Sequence, residues 1–591
     1  RIVPLAYVIL VAVVGGVWIF VSRVYWDDMF RGIRASVGYF ANFHFASTSV
    51  VYLDQDARAS PVQHFWAMSI QGQFYLVIPF FVMMTALLAR VFRRSLQSVF
   101  VVSLVAASIA SFVYSIVATP RNPAPMYFNS FARIWEFGLG GLVAVAMAKV
   151  VFSRAVAAVM AWVGIAVVFL NASFIVNISY PGYIALVPVM GAVLLLLGGQ
   201  TSHLSFPIRF LGSAPLARLG DYSYGFFLWH WPLLIFGKLH FNSDEVSVVG
   251  GVAVIFGAML LSVLTYHCVE SPFLNRRRGG QSWPSRTEII GVFAVVVVIL
   301  SATIILQDSA LRGVAPIADD SSSFNLIAFE QVPTAANSIL FDTLRPLMPD
   351  PLVARRDAGQ TAKDGCFKKD LSTSRVEVCT YGDPTGQTIA LVGGSHSLHW
   401  TTAVKAAAEK HKWKLQVIVK VTCRYGTIGN SSCGNWVSNT EKYLLENKPD
   451  LVVLTATVGS SRNERVPAEY LERWKILSNA GIPILAIRDN PWFPYSVSVC
   501  VDKNRTDPRA CAYPRSDLLK PVNPAVSASS GIDGMSIVDF SDYLCDDQLC
   551  FGVIDNVVTY RDRDHLTNTY VSRLSGPMEE ALLKQLPSNA S

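Results

Sequence analysis

The first half of the chain is dominated by long apolar runs. Runs of roughly 17 to 25 residues, the length of a transmembrane helix, recur up to about Gln307, after which charged residues, prolines and shorter apolar runs take over. We therefore predict nine membrane-spanning helices, followed from about residue 308 by a part of different character. The predicted spans are 4–22, 67–90, 98–119, 130–149, 154–171, 182–199, 222–238, 246–267 and 287–307.

A tenth apolar run, at about 35–52, differs from the others in its polar content. A helix that crossed the bilayer there would have to bury several hydrogen-bonding side chains, which is costly in lipid. We therefore interpret this run as interfacial or re-entrant. The polar side chains are those of Asn42, His44, Ser47, Thr48 and Ser49.

Basic residues between the runs indicate the orientation. They cluster in alternate loops, and loops rich in Lys and Arg face the cytoplasm. With nine spans this rule places Arg1 on the cytoplasmic side and Asp308 outside, whereas a tenth span would move Arg1 to the outside. The basic loop residues are Arg90, Arg93, Arg94, Lys149, Arg154, Arg209, Arg218, Arg276, Arg277, Arg278 and Arg286.

After residue 370 the pattern changes to alternating strand-like and helix-like segments. Strand-like runs occur at 388–394, 415–421, 449–457 and 482–489, with helix-like segments at 399–413 and 467–480. This alternation predicts a parallel sheet with helices on both faces. The predicted fold is thus a polytopic all-α transmembrane domain followed by an α/β domain, with 308–370 as a linker or irregular extension.

Composition agrees with this division. Hydrophobic residues make up 52% of the 591 residues and charged residues only 15%, which excludes an ordinary soluble protein. The net charge of +7 is explained by the orienting loops, and no nucleic-acid motif is found, so we predict a lipid bilayer and no nucleic acid as partner. The chain begins with Arg1 and lacks the cleavage site of a signal peptide; we expect upstream sequence to be missing.

Eight of the nine cysteines lie in the C-terminal part. An even set in a domain that the loop charges place outside predicts disulfides. Eight cysteines allow 105 connectivities, of which pairing between chain neighbours is the simplest. No pair of CxxC knuckles is present, and we predict no metal. The neighbour pairs are Cys366 with Cys379, Cys423 with Cys433, Cys500 with Cys511, and Cys545 with Cys550.

The first candidate catalytic residue is Ser395, in the stretch IALVGGSHSLHW. A serine at a glycine turn between a strand and a helix can present its hydroxyl as a nucleophile, or it can simply cap the helix. Near the far end of the chain, the stretch YRDRDHLTN places Asp562 three residues before His565. One short loop could then supply the base for Ser395 and the carboxylate that orients that base.

These two stretches resemble the SGNH hydrolase pattern over roughly 371–585. The resemblance implies a flavodoxin-like three-layer domain with Ser395 as nucleophile, His565 as base and Asp562 as orienting acid. Gly394 stands where the family has aspartate. The oxyanion residues have no clear match, with Gly426, Asn430, Asn435, Thr455 and Thr457 as candidates, and a degenerate module that only binds remains an alternative.

The N-terminal half resembles the membrane proteins of acyltransferase family 3. The stretches are SPVQHFWAMSIQGQFYLVIP at 60–79, LGDYSYGFFLWHWPLLIF at 219–236 and TYHCVESPFLNRRR at 265–278, and RIVP looks like the end of the family's arginine-rich motif. The resemblance implies domains at 1–285 (acyltransferase, truncated at its N-terminus), 286–307 (linking helix), 308–370 (linker) and 371–591 (SGNH-like).

Polar side chains in these membrane stretches would be costly against lipid, so we expect them to face a cavity. Three alternatives remain: the aromatic side chains could form an interfacial belt, His230 could be a packing residue, and Arg133 could be an interface anchor. The resemblance implies an acyl-CoA donor, most simply acetyl-CoA. This chain departs from the family at Gln71 and Gly72, which stand where most members have two glutamates. The histidine proposed as catalytic in the family would precede Arg1. The candidate donor-binding residues are Arg1, Gln71, Gln73, Tyr75, Glu136, Tyr224 and His230.

Together the two resemblances imply an envelope O-acyltransferase. The membrane domain would carry an acyl group from cytoplasmic acyl-CoA across the plasma membrane, and an extracytoplasmic Ser395 would pass it to a hydroxyl of a cell-envelope glycan or glycolipid. The Ala, Val and Gly content and the even cysteine set would suit an actinobacterial envelope, with trehalose mycolate lipids as one candidate acceptor. The alternatives are an extracytoplasmic acyl esterase and an inactive glycan-binding SGNH module.

Overall fold

A computed structural model describes most of the chain. It divides the chain into two compact units whose main boundary lies between Asp308 and Ser309. The described residues are 2–48, 59–120, 123–147, 152–174, 180–199, 206–241, 246–278, 285–312, 314, 334–337, 341–359, 364, 373–420, 423–427, 432–459 and 463–586.

The N-terminal unit is helical, as the apolar runs predict. Each predicted span coincides with a helix. Among the described residues, five helices are long and apolar enough to cross a membrane: Ile2–Phe20, Phe65–Val91, Leu96–Ala118, Val248–Leu274 and Arg286–Leu311. The other helices at predicted spans are Ile134–Met147, Arg154–Phe174, Leu186–Gly198 and Ala214–Phe241. Shorter helices are Trp26–Val37, Ala41–Thr48, Pro123–Tyr127, Phe206–Leu211 and Ser271–Arg278, the last preceded by a π-helical turn at Tyr266–Glu270.

The polar run at 35–52 forms no long helix within the described residues. Its helix, Ala41–Thr48, has eight residues, well short of the roughly 20 that a bilayer requires. Asn42 is fully buried and its side-chain amide donates to the Phe128 carbonyl at 3.2 Å. Asn42 therefore serves packing inside the helical unit, and its hydrogen bond is how a buried amide avoids its desolvation cost.

The C-terminal unit is built on a six-stranded sheet with strand order β1-β3-β2-β4-β5-β7. All neighbouring strands are parallel except β1, which pairs antiparallel with β3. The five parallel strands, counted along the chain, lie in the order 2-1-3-4-5, which is flavodoxin-like. The strands are β1 Cys379–Gly382, β2 Thr388–Gly393, β3 Lys414–Val419, β4 Leu451–Thr455, β5 Ile484–Ile487, β6 Tyr513–Pro514, β7 Met535–Val538, β8 Leu549–Cys550, β9 Val553–Ile554 and β10 Val557–Val558.

Helices cover both faces of this sheet. Successive side chains of a strand point to opposite faces; in β2, Ile389 and Leu391 belong to one buried cluster and Ala390 and Val392 to the other. The sheet is therefore the middle of three layers, and the predicted α/β class is confirmed. The helices of this unit are Pro351–Ala354, Ser395–Leu398, Thr401–Lys410, Ser432–Asn447, Ala468–Asn479, Val497–Lys503, Arg515–Leu518, Pro524–Ala528, Asn568–Arg573 and Ser575–Leu583.

Three of the predicted neighbour disulfides are present. Cys423 bonds Cys433, Cys500 bonds Cys511, and Cys545 bonds Cys550. The fourth predicted pair includes Cys366, which lies outside the described residues. Each bond closes a short loop, with sequence separations of 10, 11 and 5, so each fixes local loop geometry in the layers around the sheet.

Candidate active site

Ser395 stands at a sharp turn between β2 and the helix Ser395–Leu398. Gly393, the last residue of β2, has φ +143°, a backbone conformation that residues with a side chain rarely adopt. A Cβ atom added there would lie 2.2 Å from Ser397 Oγ. Glycine therefore permits the turn that lifts Ser395 above the carboxyl edge of the sheet.

The Ser395 hydroxyl is hydrogen-bonded to an imidazole rather than to the helix that it begins. Ser395 Oγ lies 2.8 Å from His565 Nε2, and the helix N-cap is Gly394, which makes no side-chain cap. The alternative of a capping serine is thus not what the structure shows.

The orienting carboxylate is Asp562, as the spacing of the second stretch predicts. Its Oδ2 lies 2.9 Å from His565 Nδ1. Asp562 Oδ1 accepts the backbone N–H groups of Asp564 at 3.1 Å and His565 at 2.7 Å, so the loop fixes its own carboxylate. The structure brings Ser395, His565 and Asp562 into one hydrogen-bonded line, the geometry of a serine-nucleophile triad; their catalytic roles stay a prediction.

A second carboxylate, which the sequence did not single out, also approaches the histidine. Asp564 Oδ1 lies 2.9 Å from His565 Nδ1. Burial alone would lower the pKa of His565, but the Asp562 and Asp564 carboxylates raise it to about 10. Burial would raise the pKa of Asp562, yet His565 holds the pKa of that carboxyl well below its usual range. The two carboxylates therefore favour the charged form of the imidazole.

This charge state predicts an alkaline pH profile for acylation of Ser395. Only a neutral imidazole can accept the hydroxyl proton, and below the His565 pKa of about 10 its neutral fraction grows about tenfold per pH unit. We expect the initial rate with a chromogenic acetyl ester to rise from pH 7 toward pH 10, about the His565 pKa, and then level. Asp564→Asn should shift the half-maximal pH downward, because one of the carboxylates that raise the pKa is lost.

The matched control is Asp489→Asn, which neutralises a carboxylate on a neighbouring histidine instead. It should leave the half-maximal pH close to that of the unaltered chain. A profile that is flat between pH 7 and pH 10 would contradict the assignment of His565 as base.

The neighbouring histidine, His396, forms a second imidazole–carboxylate pair in the same site. Its Nδ1 lies 2.8 Å from Asp489 Oδ1, and Trp492 Nε1 donates to Asp489 Oδ2 at 3.2 Å. The rings of His396 and His565 are 4.7 Å apart. Sequence reasoning missed Asp489 and Trp492, although they directly follow β5, and sites of such sheets lie beyond the carboxyl ends of the strands.

These residues open onto one cavity of about 370 Å³. It lies at the carboxyl edge of the sheet where β2 and β4 adjoin, the point at which strand order reverses and ligands bind in such folds. The lining residues are Gly394, Ser395, His396, Arg424, Thr427, Thr455, Thr457, Val458, Tyr470, Asp489, Trp492, Asp564 and His565.

Two of the predicted oxyanion candidates reach this cavity, Thr455 and Thr457. Thr457 Oγ1 accepts the backbone N–H of Asp489 at 3.0 Å, which leaves its own hydroxyl proton free to be donated. Gly426 and Asn435 are not among the lining residues, and Asn430 lies outside the described residues.

A cation, Arg424, also lines the cavity. Its guanidinium carbon lies 5.4 Å from the centre of the Trp492 ring, and the adjoining Cys423 is tied to Cys433 by a disulfide. Sequence reasoning missed Arg424. Together with Thr455 and Thr457 it gives the site donors for developing negative charge, although Gly394 replaces the family aspartate.

A metal fits this cluster poorly. His396, Asp564 and His565 offer ligand atoms within 4.8 Å of one another. However, both His565 nitrogens are already engaged, by Ser395 and by Asp562, and His396 Nδ1 is engaged by Asp489. The arrangement suits proton transfer among hydrogen-bonded groups, and the absence of a metal stays a prediction.

The strained turn gives a testable consequence at Gly393. In Gly393→Ala the new methyl group must displace the Ser397 side chain or shift the turn, and a misplacement of about 1 Å costs about a hundredfold in rate. We expect that loss in the pre-steady-state burst with a chromogenic acetyl ester. Gly394→Ala is the comparison: the φ of Gly394 is −99° and its Cβ would lie 3.3 Å from the Cys423 carbonyl, a tight contact but not an overlap, so we expect a smaller loss. Equal bursts in both variants would contradict the role given to the turn.

Among the membrane candidates, Gln73 lies in a closed hydrogen-bonded ring. Its Nε2 donates to Asn42 Oδ1 at 2.8 Å, Asn42 Nδ2 donates to Ser130 Oγ at 2.9 Å, and Ser130 Oγ donates to Gln73 Oε1 at 2.7 Å. Gln71 and Tyr75 lie one turn apart on the same helix, and Gln71 Nε2 donates to the Tyr75 hydroxyl at 2.9 Å. This ring of hydrogen bonds joins the helices Ala41–Thr48 and Phe65–Val91 to the segment just before the helix Ile134–Met147.

Glu136 forms an ion pair with Arg133 at 2.9 Å. The Arg133 guanidinium also lies 5.0–5.3 Å from the ring centres of Trp66, Tyr127 and Tyr180. These rings and the Glu136 carboxylate stabilise a buried cation inside the helical unit. The alternative of an interface anchor stays a prediction.

The remaining candidates lie on the helix Ala214–Phe241 or outside the described residues. The Tyr224 hydroxyl donates to the Ile2 carbonyl at 2.7 Å, and the His230 ring lies 5.9 Å from that of His64. Arg1 lies outside the described residues. Binding of acyl-CoA by any of these residues stays a prediction.

Comparison with known proteins finds a match for each of the two parts of the chain. Residues 1–267 match the family model "Acyltransferase domain", and residues 365–580 match "SGNH domain (fused to AT3 domains)". Among curated proteins, the chain is 26% identical over 285 residues to the O-acetyltransferase OatA of Staphylococcus aureus, covering 46% of this chain and 45% of that protein.

Two further relatives are similar over comparable lengths. The peptidoglycan O-acetyltransferase OatA of Listeria monocytogenes is 23% identical over 299 residues (47% of this chain, 46% of that protein), and the putative membrane-bound transacylase BcsY of Komagataeibacter xylinus is 30% identical over 249 residues (41% and 59%). The chain thus spans about half the length of the curated relatives that it matches.

One solved structure is also similar, the periplasmic domain of a lipopolysaccharide acetyltransferase from Salmonella Paratyphi A. It is 15% identical with a TM-score of 0.29, and the match covers 39% of this chain and 93% of that domain.

Proposed function

Because the chain joins an acyltransferase membrane domain to an SGNH domain, we propose that it is a membrane O-acyltransferase of the cell envelope. In this proposal the membrane domain takes an acetyl group from acetyl-CoA at the cytoplasmic face of the plasma membrane. The SGNH domain, outside, passes it to a hydroxyl of an envelope glycan or glycolipid. The observation that carries the proposal is the line Ser395–His565–Asp562, with contacts of 2.8 and 2.9 Å.

The chemistry divides into two steps at Ser395. In the first, Ser395 Oγ bonds to the acetyl carbonyl carbon while the bond to the donor group breaks, and His565 passes the serine proton to the departing group. In the second, an acceptor hydroxyl bonds to the same carbon, the bond to Ser395 breaks, and His565 returns the acceptor's proton to Ser395. Asp562 keeps the imidazole oriented in both steps.

Three observations support this assignment over its alternatives. The relatives include proteins named O-acetyltransferase, which favours transfer over the esterase alternative. The unbroken hydrogen-bonded triad and the cavity beside it favour a working site over an inactive glycan-binding module. The disulfides favour an extracytoplasmic domain, since oxidising compartments preserve them.

An acyl-labelling experiment tests the proposal. Membranes that carry the chain are given isotopically labelled acetyl-CoA on the cytoplasmic side, and peptides are analysed by mass spectrometry. We expect label on the peptide containing Ser395, followed by its transfer to added envelope glycan. Glycan acylation without label on that peptide would refute the acyl-serine step, and removal of acyl groups without any addition would favour the esterase.

A further inference from the structure

A second cavity adjoins the Ser395 cavity in the SGNH domain. It has a volume of about 190 Å³, and Trp492 and Asp564 line both cavities. The two cavities therefore share part of their walls, and we call the second one the side cavity. Its other walls include Phe493, Tyr513, Asp517 and Arg563.

We propose that the side cavity binds the sugar unit next to the one that is acylated, so that the enzyme recognises a glycan chain rather than a single sugar. The proposal rests on the proposed function, because it names the acceptor class of the same site. It adds a binding subsite and the residues that form it.

The lining chemistry matches a neutral sugar ring. Trp492 and Tyr513, which are both partly exposed, offer aromatic surface for the apolar C–H face of a pyranose. Asp517 supplies a hydrogen-bond acceptor and Arg563 supplies donors, the two functions that sugar hydroxyls require. Because charges of both signs line the cavity, a neutral ring rich in hydroxyls suits it better than a phosphate or an ammonium group.

The wall that carries Tyr513 is fixed before any ligand arrives. Tyr513 lies in β6, where it pairs with Cys550 of β8, and Cys550 bonds Cys545. Two residues before it, Cys511 bonds Cys500. A wall held by two disulfides loses little conformational entropy when a ligand binds, which is how a preorganised subsite gains affinity.

The test compares acceptors of different length on the intact chain in membranes. A chromogenic acetyl ester serves as donor. The acceptors are oligosaccharides released from the cell envelope and the monosaccharides obtained by hydrolysing those oligosaccharides. Ester hydrolysis without acceptor reports the basal activity of Ser395.

In Tyr513→Ala we expect the KM for the oligosaccharides to rise about tenfold, the effect of losing one aromatic contact with a bound ring. Transfer to monosaccharides and basal hydrolysis should not change. Tyr513→Phe should retain the low KM because it keeps the ring, and Asp517→Asn, an exposed substitution that does not threaten folding, should raise the KM for the oligosaccharides only.

Two outcomes would overturn the inference. If the unaltered chain transfers to both acceptors but Tyr513→Ala and Asp517→Asn leave the preference for oligosaccharides intact, the side cavity is not a sugar subsite, while the proposed function stands. If the unaltered chain hydrolyses the ester and acylates neither acceptor, the proposed function itself fails and the inference fails with it.

Discussion

Ser395→Ala is expected to reduce envelope acylation by at least about a thousandfold, to background. The hydroxyl at 2.8 Å from His565 Nε2 is the only group that the variant removes, and loss of a serine nucleophile eliminates most of the catalysis that a triad provides. The measurement is mass spectrometry of envelope glycans and glycolipids from a deletion strain complemented with the unaltered chain or with the variant.

Ser397→Ala is the matched control, since it removes a hydroxyl two residues away in the same turn. That hydroxyl is buried and makes no hydrogen bond to the described residues, so acylation should remain close to that of the unaltered chain. Normal acylation in the Ser395→Ala strain would mean that the acyl group reaches its acceptor without passing through Ser395.

Glu464→Gln is expected to destabilise the C-terminal domain by about 3–5 kcal/mol, the usual effect of breaking a buried ion pair. Glu464 receives two hydrogen bonds of 2.8 Å from the Arg488 guanidinium, and both side chains are nearly inaccessible to solvent. Glu464 Oε2 also accepts the Lys520 backbone N–H at 2.7 Å. A glutamine amide would oppose its own N–H groups to these donors, and the buried Arg488 charge would keep only the partly exposed Asp539 carboxylate, at 3.0 Å.

Hydrogen exchange of the β5 amides, at Ile484–Ile487, measures this change because Arg488 directly follows that strand. The control is Glu446→Gln, which breaks an exposed pair with Lys442 and should cost less than about 1 kcal/mol. Unchanged protection of β5 in Glu464→Gln would show that the pair contributes little. Since Asp489 follows Arg488, we also expect slower acylation of Ser395 in this variant.

Much of the fold follows from sequence periodicity alone. The apolar runs located the nine helices at the predicted spans but not the shorter helices of the N-terminal unit. Short apolar runs located β2, β3, β4 and β5, because a strand buried on both faces is apolar throughout. The antiparallel edge strand β1, the short strand β7 and the helix Ser432–Asn447 were not identified. The first two are short and carry mixed polarity, so their pairing partners, not their own residues, make them strands.

The residues of the candidate site also divide into those that the sequence predicted and those that only the structure revealed. Ser395, Asp562 and His565 were identified from two short stretches, since a glycine turn and a three-residue spacing are local properties of the chain. His396, Asp489, Trp492, Arg424 and Asp564 became site residues only when the ends of several strands and their loops were brought to one edge of the sheet. No spacing in the sequence relates Arg424 to Trp492 or His396 to Asp489.

The sequence by itself determined the helical and α/β units, the chain-neighbour disulfides that the structure describes, and the three residues of the triad. These depend on periodicity, spacing and local turn geometry. Only the tertiary structure decided that Ser395 contacts His565 instead of capping its helix, that two carboxylates charge that histidine, and that a second cavity adjoins the first. The contact of Ser395 with His565 joins residues 170 positions apart, and the walls of the cavities come from several strand ends and loops, so the packing of the sheet sets these distances. Asp562 and Asp564 are close to His565 in the sequence, but the conformation of their loop decides that both carboxylates contact its Nδ1.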